Sequence, residues 1–469
     1  MPISIKLGIA GRLFTAALAC LTLAATVPTG RLGSTGYLFI QSTSPEVPLY
    51  VYTPIPESGL EPRNIHLSFG DNETSVVVTW STRNDTQSQV QLMSVQPPNA
   101  TEKLYNGSST IFVDSGTKKA TQYVHRVTLP DLGWGGLFKY RCGSQATGWS
   151  DWFEFRTPKR GFSPRLAMFG DMGMVNAQSL PRLMQDASAG MYDAILHVGD
   201  FAYDMQEQDG ATGDQFMQMI QPIAARLPYM TCVGNHEFMY NFSHYKNRFT
   251  MPKGFGGDGE SMFYSFDLGP AHIIGISTEF YFFVEYGVDQ LKSQYDWLQA
   301  DLERASKNRA ARPWIIIMGH RPMYCSNDDG DDCTFGALFM REGFLARWYP
   351  LEPLLQKYGV DLALWAHEHT YERMWPVTRL EVRNGSWAEP YSEPRGTVHV
   401  VTGSAGCRER HDTFGSPMYY SAFRSTDYGY TRMQIFNSTH LSLEQVSDDQ
   451  QGRIIDRITI VQHNHGPFP

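Results

Sequence analysis

Two hydrophobic patterns divide the chain after residue 60. Between residues 61 and 157, short runs rich in Val, Thr and aromatic residues, such as "SVVVTW" and "DWFEFRT", are separated by turn residues. Short strands at regular spacing without helical periodicity predict an antiparallel β-sandwich. The stretch "PKRGFSP", from Pro158 to Pro164, is a plausible boundary, and a different pattern covers residues 163–469.

The second pattern alternates continuous apolar strands with helical segments. Strands such as "AILHVGD", "YMTCVGNHE" and "WIIIMGH" are apolar throughout and end in polar residues. Continuous apolar strands are typical of sheets covered by helices on their faces. A helix is predicted where apolar residues recur at spacings of three and four: Val288, Leu291, Tyr295, Leu298 and Leu302. The sequence therefore predicts an α/β domain after the sandwich, ending in a C-terminal β segment.

The predicted sandwich has the side chains of a known kind of module. Trp80 fits a core tryptophan, and Tyr140 stands two residues before Cys142, the spacing of a tyrosine corner. On these residues the segment resembles a fibronectin type III domain.

The N-terminus has the features of an export signal. Lys6 and Arg12 precede an apolar, small-residue stretch that is short for a membrane-spanning helix. We expect residues 1–27 to be a signal peptide, with an uncleaved anchor as the alternative. Residues 28–60, rich in Pro, Gly and Ser, are predicted to be a linker. No second long apolar run follows, so we expect a secreted or lysosomal protein without a stable membrane span.

Sequons and cysteines fit an exported protein. Seven Asn-x-Ser/Thr sequons are candidate glycosylation sites: Asn72, Asn84, Asn99, Asn106, Asn241, Asn384 and Asn437. Cys325 and Cys333 bracket a polar acidic loop and are the expected disulfide. Cys232 lies in an apolar strand and is expected to be a buried thiol. The spacing leaves open whether Cys142 and Cys407 pair.

Composition and charge exclude some partners. The chain has 469 residues, 42% of them hydrophobic and 19% charged, as in an ordinary globular protein. A net charge of -9 gives no basic surface for nucleic acid. An acidic protein that acts on anionic substrates must concentrate positive charge locally, for instance with metal ions.

Polar side chains gather where the predicted strands end. The residues beyond these strands are Asp171, Asp200, Tyr203, Asn235, His236, His320, His367 and His369. Ligands of α/β proteins bind beyond the carboxyl ends of the strands. Each residue alone also fits a turn, a cap or a hydrogen-bonded core position. The pair His367 and His369 favours metal binding, because alternate residues of an extended segment face the same side.

The order of these clusters resembles a known family. Asp-x-x-Gly, Gly-Asp-x-x-Tyr, Gly-Asn-His-Glu, a single His after a strand and then His-x-His are similar to the motifs of the purple acid phosphatases, which are calcineurin-like metallophosphoesterases. The resemblance covers residues 61 to 462. It implies two mixed β-sheets flanked by helices, in four α/β/β/α layers, after the N-terminal sandwich.

The resemblance also implies a site with two metal ions. A ferric ion would be held by Asp171, Asp200, Tyr203 and His369. A divalent ion, which is zinc, iron or manganese in this family, would be held by Asp200, Asn235, His320 and His367, and Asp200 would bridge the two. Carboxylate, amide and imidazole donors are those that first-row metals accept. Phenol has a pKa near 10, so Tyr203 as a ligand indicates a strongly acidic metal such as Fe(III).

The mechanism that follows is in-line attack of a metal-bound hydroxide on phosphorus, with the metals stabilising the charge on the attacking and leaving oxygens. His236 follows Asn235 and is expected to stabilise the transition state or to protonate the leaving oxygen. A purely structural role for His236 is the alternative.

Several neighbouring residues keep two interpretations. Plant-type relatives have extra histidines after the single metal histidine, whereas "RPMYCSNDDGDDC" has none, which leaves the general acid unidentified. Arg321 and Tyr324 fit either substrate contact or loop packing. The acidic run 328–332 is expected to be a solvated loop, with a set of ligands as the alternative. Glu368, Tyr371 and Glu372 are expected to orient the two histidines of the His-x-His motif, and His197 and His272 to lie in the core.

The leading function is therefore hydrolysis of small phosphate monoesters at acidic pH. A phosphodiesterase or nucleotide pyrophosphatase with the same site is the alternative among enzymes. A non-catalytic glycoprotein that binds through its β-sandwich is the alternative outside them, and a complete ligand set argues against it.

Overall fold

The computed structural model of the chain describes residues 58–96, 102–328, 330, 332–345 and 347–469. The predicted signal peptide, almost all of the predicted linker and the sequon at Asn99 lie outside these residues. No helix among the described residues is both long enough and apolar enough to cross a membrane.

The N-terminal region is a sandwich of two antiparallel sheets, as the sequence predicts. Its strands are β1 (Arg63–Phe69), β2 (Val76–Thr82), β3 (Gln89–Gln96), β4 (Lys103–Asn106), β5 (Ser108–Val113), β6 (Thr121–Leu129), β7 (Leu137–Ser144), β8 (Gly148–Trp149) and β9 (Phe153–Arg156). One sheet has the order β1-β2-β6-β5 and the other β4-β3-β7-β8, with β9 also paired to β7. Trp80 lies in the core between them and stacks on His125, with ring centroids 5.0 Å apart.

The second region alternates strands and helices. Its strands are β10 (Arg165–Phe169), β11 (Ala194–Val198), β12 (Tyr229–Cys232), β13 (Tyr264–Leu268), β14 (Ala271–Gly275), β15 (Trp314–Met318), β16 (Leu362–Trp365), β17 (Tyr371–Met374), β18 (Val377–Thr378), β19 (Glu381–Val382), β20 (Val398–Thr402), β21 (Ser421–Ser425), β22 (Gly429–Ile435), β23 (His440–Ser447) and β24 (Arg453–Val461). Its helices are α1 (Leu180–Ser188), α2 (Ala211–Ala224), α3 (Met239–Arg248), α4 (Val288–Lys307), α5 (Ala337–Arg341) and α6 (Leu351–Tyr358).

Thirteen of these strands form two mixed sheets, which confirms the predicted fold class, and β18 and β19 pair separately as a small two-stranded sheet. The first has the order β12-β11-β10-β22-β23-β24, and the second β13-β14-β15-β16-β20-β17-β21. Strands β10, β11 and β12 are parallel, as are β14, β15, β16 and β20. Helices α1 and α2 connect β10 to β11 and β11 to β12, and they pack together. Helices α4 and α6 likewise connect β14 to β15 and β15 to β16, and they also pack together. The four layers are therefore helices, sheet, sheet and helices.

The two sheets meet where their parallel strands end. Val198, Cys232 and Ala366 form a small buried cluster there. The amide of Gly170 donates to the carbonyl of Thr402 at 2.9 Å, and a Cβ added at Gly170 would lie 2.3 Å from that of Ala366. The carboxyl ends of both parallel sets therefore share one edge, which is where polar side chains converge.

Tyr140 differs from the prediction. Its hydroxyl donates to the carbonyl of Ala225, just after α2, at 2.8 Å. Ala225 belongs to the same buried cluster as Trp80. Tyr140 therefore joins the sandwich to the α/β domain instead of closing a corner within the sandwich.

His197 and His272 lie in the core. His197 hydrogen bonds Tyr229, and burial lowers the pKa of His197 to about 3. His272 lies between Asp267 and Asp301, which outweigh its burial and raise the pKa of His272 to about 9. His197 is thus neutral, whereas His272 is a buried cation paired with two carboxylates.

Candidate metal centre

The structure brings all seven sequence-predicted metal ligands to the shared edge of the two sheets. Each follows a strand of the parallel sets: Asp171 after β10, Asp200 and Tyr203 after β11, Asn235 after β12, His320 after β15, and His367 and His369 after β16. Asp171, Asp200, Tyr203 and His320 are almost completely buried. Buried polar groups at such density need partners, which they find in one another.

Three of these residues form one side of the cluster. The phenol oxygen of Tyr203 lies 2.8 Å from Nε2 of His369 and 3.2 Å from Oδ1 of Asp171. Nε2 of His369 lies 3.6 Å from the same Asp171 oxygen. A carboxylate, a phenol and an imidazole therefore converge on one point, as ligands of a single ion do.

Three others form the opposite side. Oδ1 of Asn235 lies 2.8 Å from Nδ1 of His367 and 3.0 Å from Nε2 of His320. The two imidazole nitrogens lie 3.2 Å apart. One amide oxygen and two imidazoles therefore face a common point.

Asp200 contacts this second group. Its Oδ2 lies 3.2 Å from Nε2 of His320, while its Oδ1 accepts the backbone amide of His236 at 2.9 Å. The ligand atoms of Asp200, His320 and His367 all lie within 4.8 Å of one another. This spacing suits a metal ion, and the donor types are those of first-row transition metals.

The backbone is strained at four of the seven predicted ligands. Asp171, Asp200, Tyr203 and His367 have left-handed φ values of 55°, 52°, 53° and 70°. For residues other than glycine this conformation costs about 1–2 kcal/mol each. Strain of this kind persists where the surrounding structure enforces it, and it clusters at functional sites.

Two glycines make room for the ligands. A Cβ added at Gly199 would lie 2.5 Å from Nδ1 of His320, and one added at Gly234 would lie 2.2 Å from Oδ1 of Asp200. The "GD" and "GN" pairs of the sequence are therefore steric requirements of the donor cluster.

The charges of the cluster fit a cation. Burial raises the pKa of Asp171. Burial opposes ionisation of His320 too, but the carboxylates of Asp200 and Asp171 raise the pKa of His320 to about 10. Asp171 and His320 therefore hold their protons more strongly than an ordinary carboxyl group and imidazole do. Metal ions would supply positive charge at the same place, so the residues present fit a metal centre.

Hydrogen bonds from outside the cluster orient two of its imidazoles. Nδ1 of His320 pairs with the carbonyl of Val198 and Nδ1 of His369 with that of Arg410, each at 2.9 Å. A ring nitrogen that donates to a carbonyl leaves Nε2 as the ligand atom. Both Nε2 atoms face the donor cluster.

His236 lies at the edge of the same cluster. Its Nδ1 is 3.1 Å from Oδ1 of Asp204, and its ring centroid is 4.3 Å from that of Tyr203. Its Nε2 lies 4.0 Å from Oδ2 of Asp200. Asp204 also accepts from Arg408 at 2.7 Å. Asp204 directly follows Tyr203 in the sequence, but no motif marks it as the partner of His236.

Asp332, the last residue of the acidic run, is not solvated as the sequence predicts. Asp332 is buried and pairs with Arg321 and with Nε2 of His367. Arg321 also pairs with Glu279 at 2.9 Å. The guanidinium of Arg321 therefore links two buried carboxylates beside His367, one of the predicted ligands, which favours the packing interpretation of Arg321.

Tyr324 and three other residues have structural partners. Tyr324 is buried and its hydroxyl donates to Glu352, so the packing interpretation holds.

Glu372 accepts from the backbone and side chain of Ser326, and Tyr371 donates to Asp456 at 2.9 Å. Glu372 and Tyr371 therefore orient the loop after His320 and the strand β17, and not the two histidines. Glu368 lies beside Cys325, with its Oε1 3.8 Å from the sulfur.

The cysteines form the disulfide and the buried thiol that the sequence predicts. Cys325 and Cys333 form a disulfide that closes the loop bearing Asp332. Cys142, Cys232 and Cys407 are free and buried, so Cys142 and Cys407 do not pair. The Cys407 thiol lies 3.5 Å from Nδ1 of His369, a contact that the sequence did not indicate.

The described sequons differ in exposure. Asn72, Asn84, Asn106 and Asn437 are exposed, and Asn241 is partly buried. Asn384 is 9% exposed, which disfavours a glycan on that side chain in the folded protein.

Three family models match the chain. "Calcineurin-like phosphoesterase" matches residues 164–371, "Purple acid Phosphatase, N-terminal domain" residues 62–157, and "Iron/zinc purple acid phosphatase-like protein C" residues 396–457. Together they span the sandwich and both sheets of the α/β region.

Similar proteins cover almost the same range. Acid phosphatase type 7 of Danio rerio is 53% identical over 418 residues, covering 87% of this chain and 93% of that protein. Acid phosphatase type 7 of Homo sapiens is 53% identical over 404 residues, covering 86% and 91%. The structure of purple acid phosphatase PPD1 from yellow lupin (Lupinus luteus) seeds superposes with a TM-score of 0.68 at 24% identity, covering 86% of this chain and 74% of that one.

Proposed function

Because the chain belongs to the purple acid phosphatase family of calcineurin-like metallophosphoesterases, we propose that it hydrolyses small phosphate monoesters at acidic pH. The observation that supports this most is the convergence of seven donor side chains at one edge of two sheets. Two relatives that are 53% identical are named as acid phosphatases.

We propose a binuclear centre in which Asp200 is shared. Asp171, Tyr203 and His369 would hold a ferric ion with Asp200, and Asn235, His320 and His367 would hold a zinc, iron or manganese ion with it. When bound, such a pair of ions polarises the phosphoryl group and activates water as a nucleophile. The phenol of Tyr203 selects Fe(III) for its side, because a buried phenol loses its proton only to a strong Lewis acid.

His236 is proposed to act on the substrate directly. Asp204 pairs with Nδ1 of its ring, and Nε2 points toward the donor cluster. An Nε2–H in this position can donate to a phosphoryl oxygen or to the departing oxygen. Arg408 holds the other oxygen of Asp204, so the orientation of His236 depends on a chain of charged contacts.

The location proposed for this activity is outside the cell or in the lysosome. The charged and apolar N-terminal stretch and the sequons support export. The disulfide between Cys325 and Cys333 fits an oxidising compartment.

One experiment tests the function. The purified protein is analysed for iron, zinc and manganese and assayed from pH 4 to pH 8 on a monoester, a diester and a nucleotide. We expect two metal ions per chain and the highest kcat/KM for the monoester below pH 7. Faster hydrolysis of the diester or nucleotide would instead identify a phosphodiesterase or nucleotide pyrophosphatase. A protein without bound metal and without hydrolysis would contradict the enzymatic assignment.

A further inference from the structure

His367 is contacted at both of its ring nitrogens. Its Nδ1 faces the donor cluster, 2.8 Å from Oδ1 of Asn235 and 3.2 Å from Nε2 of His320. The opposite nitrogen, Nε2, pairs with Oδ2 of Asp332. The guanidinium of Arg321 lies 3.1 Å from the same Nε2. His367 would therefore bind a metal ion through Nδ1 and meet a charged pair of side chains through Nε2.

The chemistry of the ring decides which member of this pair His367 can bond. A neutral imidazole that binds a metal ion through Nδ1 carries its one hydrogen on Nε2, so Nε2 can only donate a hydrogen bond. A guanidinium has no acceptor atom, whereas a carboxylate accepts. Asp332 is therefore the partner of a metal-bound His367, and Arg321 pairs with the carboxylate instead of the ring.

The charged side chains behind His367 favour a cation on its other face. Asp332 and Glu279 both pair with Arg321, so these three groups together carry one excess negative charge. The side chains of Glu279 and Asp332 are 0% and 2% exposed, and water therefore screens this charge poorly. A carboxylate that accepts from the far nitrogen of a ligand histidine fixes the ring and makes it a stronger donor to the metal.

The loop that carries Asp332 is anchored close to the donor cluster. The disulfide between Cys325 and Cys333 closes this loop directly after Asp332. The side chain of Asn327 donates to Oγ1 of Thr370 at 3.1 Å, in the segment that follows the His-x-His motif. Both links hold the loop against segments that supply predicted histidine ligands, so the Asp332 carboxylate has a defined place beside the ring.

Gly336 makes room for the Asp332 carboxylate. A Cβ added at Gly336 would lie 2.2 Å from Oδ1 of Asp332. The backbone of Gly336 is helical, with φ of -62° and ψ of -41°, a conformation in which alanine is more favourable than glycine. The missing side chain is therefore explained by the space that the carboxylate fills, and not by the backbone.

We propose that Asp332 is a positioning residue of the metal centre, which holds His367 so that Nδ1 binds the divalent ion. This inference rests on the proposed function, in which His367 is a ligand of that ion. Partners of this kind typically change metal affinity about 10- to 100-fold. Removing the carboxylate should weaken the divalent site by this factor and spare the ferric site, which lies on the side of Tyr203 and His369.

The experiment measures zinc binding by the oxidised, iron-loaded enzyme. Wild type, Asp332→Ala and Asp328→Ala are dialysed against buffers that fix a series of free zinc concentrations, and zinc and iron per chain are determined. We expect Asp332→Ala to need about 10- to 100-fold more free zinc for half-occupancy, with unchanged iron content and visible absorption. Asp328→Ala is the matched control and should behave as the wild type, because Asp328 belongs to the same loop but is exposed.

Gly336→Ala tests the position of the carboxylate without removing a charge or a hydrogen-bonding group. The added methyl group displaces the carboxylate of Asp332 in a backbone that alanine fits. This variant should also need more free zinc, and it carries the comparison if Asp332→Ala does not fold.

Two results would overturn the role of Asp332 and leave the phosphatase function standing. One is a zinc midpoint in Asp332→Ala, or in Gly336→Ala where only that variant folds, equal to that of the wild type. The other is parallel loss of iron and zinc, which would show general disruption of the centre. A wild type that takes up no zinc at any concentration would instead contradict the proposed binuclear centre itself.

Discussion

The phenol oxygen of Tyr203 lies 2.8 Å from Nε2 of His369, although 166 positions separate the two residues in the chain. Asp171 completes this group at 3.2 Å from the same phenol oxygen. Burial and the nearby carboxylates of Asp171 and Asp200 raise the pKa of Tyr203 well above 10. The phenol would therefore remain protonated here unless a strong Lewis acid replaces its proton.

Tyr203→Phe should abolish a visible absorption band. We expect the oxidised, iron-loaded wild type to absorb through phenolate-to-iron charge transfer, and the variant to lose this band. Absorption spectra and iron analysis of both proteins check this. Tyr229→Phe removes another buried hydroxyl, one that pairs with His197, and should keep the band. An oxidised wild type without any band would exclude the ferric assignment.

Gly199→Ala should reduce metal binding through a steric clash. The new Cβ would lie 2.5 Å from Nδ1 of His320 in a residue with φ of 83°. Gly190→Ala is the matched control, since Gly190 has φ of 70° and no atom within 4 Å of an added Cβ. Both variants should lose about 1 kcal/mol or more of stability from the left-handed backbone. Only Gly199→Ala should lose metal, measured by elemental analysis after dialysis, and equal metal contents would refute the steric argument.

His236→Asn should lower kcat about 100-fold or more without loss of metal, because positioned acid–base groups contribute about 10²–10⁴-fold. Asp204→Asn should have a smaller effect in the same direction, since it weakens the contact with Nδ1 and the ion pair with Arg408 but leaves the imidazole of His236 in place. Steady-state kinetics with metal analysis measure both, and His440→Asn is the control outside the site. A His236→Asn enzyme with the wild-type kcat would show a purely structural role.

His272→Gln should destabilise the protein in a pH-dependent way. Asp267 and Asp301 outweigh burial and raise the pKa of His272 from 6.5 to about 9 in the folded state. The stabilisation from this cation is complete below pH 6.5 and is lost as the pH rises through 9. The pH-dependent part of the difference between wild type and variant should therefore be about 3 kcal/mol at pH 6 and should fade above pH 9.

Urea denaturation at pH 6, 7.5 and 9.5 measures this dependence. His125→Gln is a control with the opposite pH dependence. Burial lowers the pKa of His125 to about 4 in the folded state, so this histidine should destabilise the folded wild type in acid, and the variant should not show that loss. A His272→Gln difference that is constant from pH 6 to pH 9.5 would argue against a buried imidazolium.

Thiol titration should separate the bonded from the free cysteines. In mature protein without residues 1–27, a thiol reagent should react with three groups after unfolding and with none in the native state, because Cys142, Cys232 and Cys407 are buried. Reduction before unfolding should raise the count to five by opening the bond between Cys325 and Cys333. Five reactive thiols without reduction would mean that the disulfide is absent.

The donor cluster was predictable because of how parallel strands are arranged. Asp171, Asp200 and Asn235 each stand two or three positions after the end of an apolar strand, and the carboxyl ends of parallel strands share one edge of a sheet. The local sequence therefore indicated both which donor residues are present and that they lie at one edge of the sheet. Periodicity likewise indicated the sandwich and the helix-covered sheets, since apolar patterning depends on neighbouring positions alone.

Contacts between distant segments were not predictable in this way. Asp332 stands in a run of acidic residues whose composition indicates solvent, but the disulfide-closed loop folds it onto Arg321 and His367. Tyr140 has the spacing of a corner residue, yet its acceptor is Ala225. In both cases the partner is supplied by tertiary packing, which a local pattern does not encode.

The bond between Tyr140 and Ala225 affects how the molecule unfolds. Asp214 in α2 adds to this interface, because it pairs with Arg83 of the sandwich at 2.8 Å and with Arg248 of α3 at 2.6 Å. Separating the two regions would break the Tyr140–Ala225 bond and the Arg83–Asp214 pair, whereas Arg248 would stay paired with Asp214. It would also expose the apolar cluster that Ala225 shares with Trp80. The sandwich and the catalytic region should therefore melt together as one cooperative unit.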